Sequence, residues 1–490
     1  MRNWNNRRWA TRIAPATRER AGAHGARGPR PRTGGAPSLA HRVALVALAV
    51  AGGCGPGTSE VREPDAPVLL IGVDGLEWDV LLPLLARDEL PTLAGLMRRG
   101  SYGLLATRRP TLSPLIWTSV ATGKKPEAHG VLGFTFEEGG ERRLYTSEHR
   151  RTKAFWNILG DHGVATDTIG WWLTFPVEPV LGTMVAQTNT KRTRADPLSK
   201  GTLRPGTARQ VHPAELESEV LAIPERIEGE LDGRLRAIFG DVARDGLSDE
   251  ARRRWEACAW AFRADATYLE VARLVRAAGP APLTSIYLGG TDVVGHRFWA
   301  ARSPERFGLA PDEDEVRRFG AVVDAYYRFV DRELGELLAM WPEDTTVFLV
   351  SDHGMSDLRA EDGSVDLGAS GGHYDGEPGV LIAAGASIRR MAGAPDPGAV
   401  SRDELEVVGD VLDICPTLLA FFGIPIGEDM PGHPIARLFE REELRAWQRP
   451  RIASHDDSVW LATRRVTGAQ PENTAERIEQ LEKLGYLEVE

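Results

Sequence analysis

Six side chains stand at spacings that let them share a cation. Asp292-Val-Val-Gly-His296 sets a carboxylate and an imidazole four residues apart. In a helical segment they lie one above the other, within reach of one ion. Asp352-His353-Gly354 places two donors side by side ahead of a glycine that lets the chain turn sharply. Further on, Gly371-Gly372-His373 adds a third imidazole in a glycine-rich loop. Asp74 follows the apolar run Ile71-Gly-Val just as Asp292 and Asp352 follow apolar runs of their own. Mixed aspartate and histidine donors suit zinc, with manganese or another divalent ion as the alternative. The other eight histidines have no such companions and are read as surface or core residues.

A hydroxyl completes the set. Ser113 followed by Pro114 reads as an N-cap and first helical position, which turns the side chain and several backbone N–H groups toward an anion. Beside a divalent cation such a hydroxyl ionises at neutral pH and becomes a nucleophile. The stretch around Gly123-Lys124 is not a P-loop: the earlier glycine is missing and Lys125 replaces the Ser or Thr. Ser113-Pro-Leu-Ile-Trp117 also lacks the arginine of a sulfatase nucleophile motif, so sulfate-ester hydrolysis by a modified residue is not expected.

These residues need a frame that gathers them. Val68–Val73, Thr284–Leu288, Thr346–Val350 and Val380–Ala384 read as buried strands, with helical patterns over Leu81–Arg99, Arg253–Ala277 and Val316–Met340 between them. Strands alternating with helices predict an α/β three-layer sandwich with a mostly parallel, doubly wound sheet. In such sheets ligands bind beyond the carboxyl ends of the strands, where Asp74, Asp292 and Asp352 would meet. From Asp196 to Pro280 the strand signal vanishes, so a largely helical insertion (196–280) is expected, either a cap over the strand ends or added scaffold. The catalytic domain is then 67–195 plus 281–440, with 441–490 a C-terminal extension ending in an amphipathic helix. Trp171, Trp172, Phe298 and Trp299 lie near the motifs, as core residues or as walls of an apolar leaving-group pocket.

Composition narrows the function. The 490 residues carry 59 basic and 70 acidic side chains, a formal −11. Before Cys54 there are ten arginines, no lysine and one acid, Glu19; that local +9 leaves −20 for the rest. A body so acidic has no general field for a polyanion, so no nucleic-acid partner is expected. A phosphate-bearing ligand would need metal ions for positive charge. The basic lead, the apolar run Val43–Ala51 and Gly52-Gly53-Cys54 read as an export signal over 1–53, too short in its apolar part for a bilayer of ~30 Å hydrocarbon. Ala51-Gly-Gly-Cys54 resembles a bacterial lipoprotein processing site, giving a lipid anchor at Cys54, a tether over 54–66 and a periplasmic or cell-envelope location. Cys258 and Cys415 sit in apolar helical contexts and are expected as buried thiols.

Taken together the motifs resemble the alkaline phosphatase superfamily, on the branch of type I phosphodiesterases, nucleotide pyrophosphatases and related phosphohydrolases. The resembling residues are Ile71-Gly-Val-Asp74-Gly, Pro110-Thr-Leu-Ser113-Pro, Thr122-Gly, Pro126-Glu-Ala-His129-Gly, Thr291-Asp292-Val-Val-Gly-His296, Ser351-Asp352-His353-Gly and Gly372-His373, in the family's order over roughly 67 to 435. The resemblance implies two metal ions. Asp292, His296 and His373 would hold one; Asp74, Asp352 and His353 would hold the other, which also binds the Ser113 oxygen. It further implies attack by Ser113 on phosphorus and a phosphoserine intermediate. Where phosphodiesterase members carry an asparagine that binds a phosphoryl oxygen, this chain has Ile116, a departure that speaks against nucleotide diesters and leaves monoesters, lipid headgroups and other phosphoryl substrates open. Two other outcomes follow from the same residues: transfer of a phosphoryl or phospho-headgroup to an envelope alcohol, or a non-catalytic, metal-stiffened envelope binding protein.

Overall fold

The computed structural model describes residues 61–62, 64, 66–187, 203, 207–240, 247–308, 313–360, 362–391 and 393–463. All of them belong to the compact unit Glu60–Glu490. The export segment, Cys54, most of the tether and the expected terminal helix lie outside the described residues.

A nine-stranded sheet forms the middle layer. Numbered along the chain within this sheet, its strands are β1 (Val68–Val73), β2 (Gly100–Ala106), β3 (Thr166–Ile169), β4 (Gly182–Val185), β5 (Val211–His212), β6 (Leu283–Leu288), β7 (Thr346–Val350), β8 (Gly379–Ala384) and β9 (Val407–Asp410). Their order across the sheet is β9-β2-β8-β7-β1-β6-β3-β4-β5. Strands β7, β1, β6, β3 and β4 run parallel, and β1 lies between β6 and β7 in direct register, Gly72 opposite Tyr287 on one side and Val350 on the other. Two strands run against the rest. The 380–384 run pairs antiparallel with β7 and β2, and β5 caps the far edge antiparallel to β4. The two residues of β5 also place a strand inside the span where none is expected from the sequence.

Alternation along the strands builds two cores. Leu69, Ile71, Val73, Ile286, Leu288, Val347 and Leu349 face one apolar cluster, while Val68, Leu70, Leu283, Tyr287, Phe348 and Val350 face the other. Every residue of β1 is buried, as its continuous apolar run requires for a strand covered on both faces. On the first face lie α2 (Asp249–Ala278) and α3 (Gly290–Arg302); on the second lies α1 (Ser113–Thr122), whose C-terminus is closed by Gly123 at φ 66°. The helix Glu217–Phe239 packs with α2 in the first apolar cluster.

Two long helical expectations are split. Leu81–Arg99 is divided into Trp78–Ala86 and Pro91–Arg99, because Asp88 takes a left-handed φ of 55° and Pro91 starts a new first turn. Val316–Met340 breaks beside Gly320 into Glu313–Phe319 and Val322–Leu338. Cys258 and Cys415 are free and buried. Among the described residues no helix is long and apolar enough to cross a membrane.

Candidate active site

The ligand-type residues come from the carboxyl ends of adjacent strands. Asp74 follows β1, Asp352 and His353 follow β7, and Asp292 and His296 stand on α3, which begins just after β6. Asp292 lies in the first turn of α3, so the four-residue spacing stacks His296 on it, Nε2 to Oδ1 3.2 Å. His373 comes in on the loop between β7 and β8, its Nε2 3.1 Å from His296 Nε2 and 3.7 Å from Asp292 Oδ1. On the other side His353 Nε2 lies 3.3 Å from Asp74 Oδ1 and 3.4 Å from Asp352 Oδ2. All six side chains are buried.

Two groups have donor atoms within 4.8 Å of one another: Asp74, Asp352 and His353, and Asp292, His353 and His373. His353 belongs to both. His296 is in neither group but lies against Asp292 and His373, so the six residues converge on one centre, and His353 takes the place beside Asp292 and His373 that the sequence gives to His296. Among the described residues, Asp74 Oδ1, Asp352 Oδ2, His353 Nε2 and His373 Nδ1 are buried with no hydrogen-bond partner. Buried carboxylates and imidazoles crowded in this way are stable only when a positive charge lies among them, and oxygen and nitrogen donors of this kind fit divalent cations such as zinc.

Protonation follows the same logic. Burial, and then the Asp74 charge, push the Asp352 carboxyl well above its ordinary value. Burial lowers the His353 imidazole, but the carboxylates of Asp352 and Asp74 outweigh it and push it up to about 10. For Asp292 burial acts upward, and the three imidazoles overcome it, holding the carboxyl below its ordinary range. Burial and the neighbouring His353 and His296 drive His373 well below its own.

Backbone geometry makes the convergence possible. Gly75 has φ +63°, and a Cβ there would lie 2.9 Å from Asp292 Cα, so only glycine lets the loop after β1 pass this close to α3. The loop after β7 is tied to the loop after β1 by Ser351 Oγ, which accepts from Leu76 N at 2.9 Å and donates to the His353 carbonyl at 2.7 Å. Glu77 Oε2 accepts from Met355 N at 2.9 Å. Asp265, on α2, accepts from the N–H groups of Gly289 and Gly290 and so anchors the start of α3.

Ser113 is the first residue of α1, with Leu112 as its N-cap, so the N-cap expected at Ser113 moves back by one. It is buried, 2% exposed. Its neighbours in sequence tie it to both halves of the centre. Thr111 donates through Oγ1 to the carbonyl of His373. Trp117, one turn on, donates through Nε1 to Asp74 Oδ2 at 2.9 Å.

Sequence reasoning passes over several contributors. Trp117 reads as core, and Tyr287, whose hydroxyl donates to Asp74 Oδ2 at 2.6 Å, reads as one more residue of a buried strand. The Ser113-to-Trp117 spacing of four is the only signal for Trp117, and nothing in the sequence marks Tyr287. His129 is a buried structural group: its Nε2 lies 3.0 Å from Ser119 Oγ, and burial lowers it to about 3. Trp171, Phe298 and Trp299 are core residues, with Trp171 against Trp117 and Phe155. Trp172 is only half-buried, beside Phe134 and Tyr287.

Comparison with known proteins follows this geometry. Residues 68–378 match the model of the type I phosphodiesterase / nucleotide pyrophosphatase family. No curated protein matches the chain. Similar solved structures include phosphonoacetate hydrolase from Sinorhizobium meliloti 1021 in complex with phosphonoformate, at 18% identity and TM-score 0.37, over 62% of this chain and 60% of that one. Wild-type alkaline phosphatase PafA aligns at 13% identity and TM-score 0.49, over 77% of this chain and all (100%) of that one. Murine ectonucleotide pyrophosphatase / phosphodiesterase 5, an inactive form in complex with AMP, aligns at 12% identity and TM-score 0.42, over 77% and 100%. The family match covers more than half of the chain, and the protein belongs to the type I phosphodiesterase / nucleotide pyrophosphatase family.

Proposed function

We propose that the protein is an exported phosphoester hydrolase that works through Ser113 with two divalent metal ions, zinc by donor type. Asp74, Asp352 and His353 would hold one ion, and Asp292, His296 and His373 the other, with the Ser113 oxygen beside the first. When bound, such ions supply the positive charge that phosphoryl oxygens require and make a hydroxyl or water more acidic. Ser113 Oγ forms a bond to phosphorus as the ester P–O bond breaks, and the departing alcohol takes up the proton that Ser113 gives up. Water then cleaves the seryl phosphate and restores the hydroxyl. Trp117 and Thr111 hold the start of α1 against Asp74 and His373 throughout.

The observation that carries this reading is the convergence of six donors, four of their atoms unpartnered, next to the helix that Ser113 begins. The substrate class is a phosphoester of a small molecule or a lipid headgroup. Aryl phosphate mono- and diesters assayed with defined metals, with mass spectrometry for phosphate on Ser113, test it. Turnover that survives verified metal removal, or that proceeds undiminished in Ser113→Ala, would sink the mechanism.

Export to a bacterial envelope, with lipid on Cys54, rests on the basic lead, the apolar run and Ala51-Gly-Gly-Cys54. The mass of the mature amino terminus tests it, an unmodified Cys54 ruling out the anchor.

A further inference from the structure

Asp74 is held from behind. Its Oδ2 accepts two hydrogen bonds, from Tyr287 Oη at 2.6 Å and from Trp117 Nε1 at 2.9 Å, while its Oδ1 faces His353 without a hydrogen-bond partner. The two donors come from different elements. Tyr287 lies on β6 directly opposite Gly72 of β1, and Trp117 belongs to α1. The Trp117 ring lies over Gly72, where a Cβ would come within 2.7 Å of its Cζ3 atom. Its edge-on contact with Tyr287 (centroids 5.3 Å apart, planes at 85°) fixes the two rings relative to each other. Both donors are buried, so neither hydrogen bond is replaced by water at no cost.

We infer that Trp117 and Tyr287 are positioning residues of the metal centre, orienting Asp74 so that Oδ1 is its ligand atom, and that Trp117 thereby fixes the Ser113 end of α1 to that ligand. The inference rests on the metal reading proposed above. A ligating carboxylate whose second oxygen is held by buried donors has fewer orientations to lose on binding an ion. Outer partners of this kind commonly change metal affinity by roughly 10–100-fold. Because Trp117 is one helical turn from Ser113, the same hydrogen bond sets where the hydroxyl stands relative to Asp74.

The test is calorimetric titration of the metal-stripped full chain with Zn²⁺, comparing wild type, Trp117→Phe and Tyr287→Phe. Asp74→Asn identifies the binding step that belongs to Asp74. Trp171→Phe, which thins the same aromatic cluster without touching Asp74, controls for packing. The expected result is two steps in wild type, an affinity roughly 10-fold weaker in the Asp74 step for Trp117→Phe and Tyr287→Phe, and no change in the other step or in Trp171→Phe. Titrations of both variants that match wild type would overturn the inference and leave the metal reading standing. Weakening of both steps alike, shared by Trp171→Phe, would overturn it as general loosening. A wild type that binds no divalent ion would overturn the metal reading itself. Tyr287→Phe removes a single oxygen, so the comparison survives even if Trp117→Phe fails to fold.

Discussion

The imidazole of His353 lies face to face with that of His373, ring centroids 3.7 Å apart and planes inclined by 21°. Two stacked imidazoles between three carboxylates would repel if both were protonated, and the structure separates them: His353 is raised by Asp352 and Asp74, and His373 is lowered by burial and by His353. Such a stack would hold two nitrogen donors close together for the ions proposed above.

Stripping the ions should therefore destabilise the protein. With free Zn²⁺ at about 100 times its dissociation constant, binding contributes roughly 2.7 kcal/mol per site. The apparent Tm should fall by at least a few degrees on chelation and recover when Zn²⁺ is restored. Differential scanning fluorimetry checks this, and an unchanged melt after metal analysis confirms removal would count against the centre.

Replacement of Ser113 by alanine leaves the six carboxylate and imidazole donors in place and removes the attacking oxygen. Turnover should drop on the order of 10³-fold or more while Zn²⁺ stoichiometry stays at the wild-type value. Steady-state kinetics with metal analysis of the same sample separates a lost nucleophile from a lost ion.

Gly75→Ala should damage the fold and the centre together. The new Cβ meets Asp292 Cα at 2.9 Å in a backbone conformation at φ +63° that alanine resists. A loss of roughly 1–2 kcal/mol from the conformation alone is expected, with weaker metal binding because the Asp74 loop must withdraw from α3. Denaturant melts and metal titration read the two effects, and wild-type values for both would show that the close approach is not needed.

A pH effect far from the site comes from Asp167. Burial pushes its carboxyl from 3.8 up to about 6, against the N–H groups of Ala281 and Thr183 that it accepts at 2.8 and 3.2 Å. Because the folded chain holds this proton more tightly than the unfolded one, the contribution to stability is complete below about pH 4. It is lost as pH rises to about 6, a change on the order of 3 kcal/mol. Asp167→Asn should flatten that part of the stability profile, and a variant profile parallel to wild type across pH 4–6 would refute the assignment.

Five of the six proposed ligands are legible in the sequence because they sit where a strand pattern ends or a helical spacing begins, and His373 is marked only by the glycines before it. Asp74, Asp352 and His353 follow apolar runs, and Asp292 and His296 repeat at a helical interval. Gly75, next to Asp74, already marks a turn. What holds them is not legible. Trp117 is one apolar residue in a helix buried on every side, and its hydrogen bond to Asp74 exists only because α1 covers β1 at Gly72. Tyr287 reaches Asp74 only through the register of β6 on β1. The reversed direction of β8 has no mark in its residues either, since a buried run reads alike in both directions.

The position of β1 between β6 and β7 has a consequence for the order of events in the cell. In an extended chain no short stretch offers more than two of the donors: Asp292 with His296, or Asp352 with His353. Tight capture of an ion has to wait until these distant strands have paired, a slow, non-local step of assembly. On the metal reading proposed above, the ion would be a late guest that locks a finished sheet, and a polypeptide delivered unfolded across a membrane would arrive empty and be loaded from the pool on the far side.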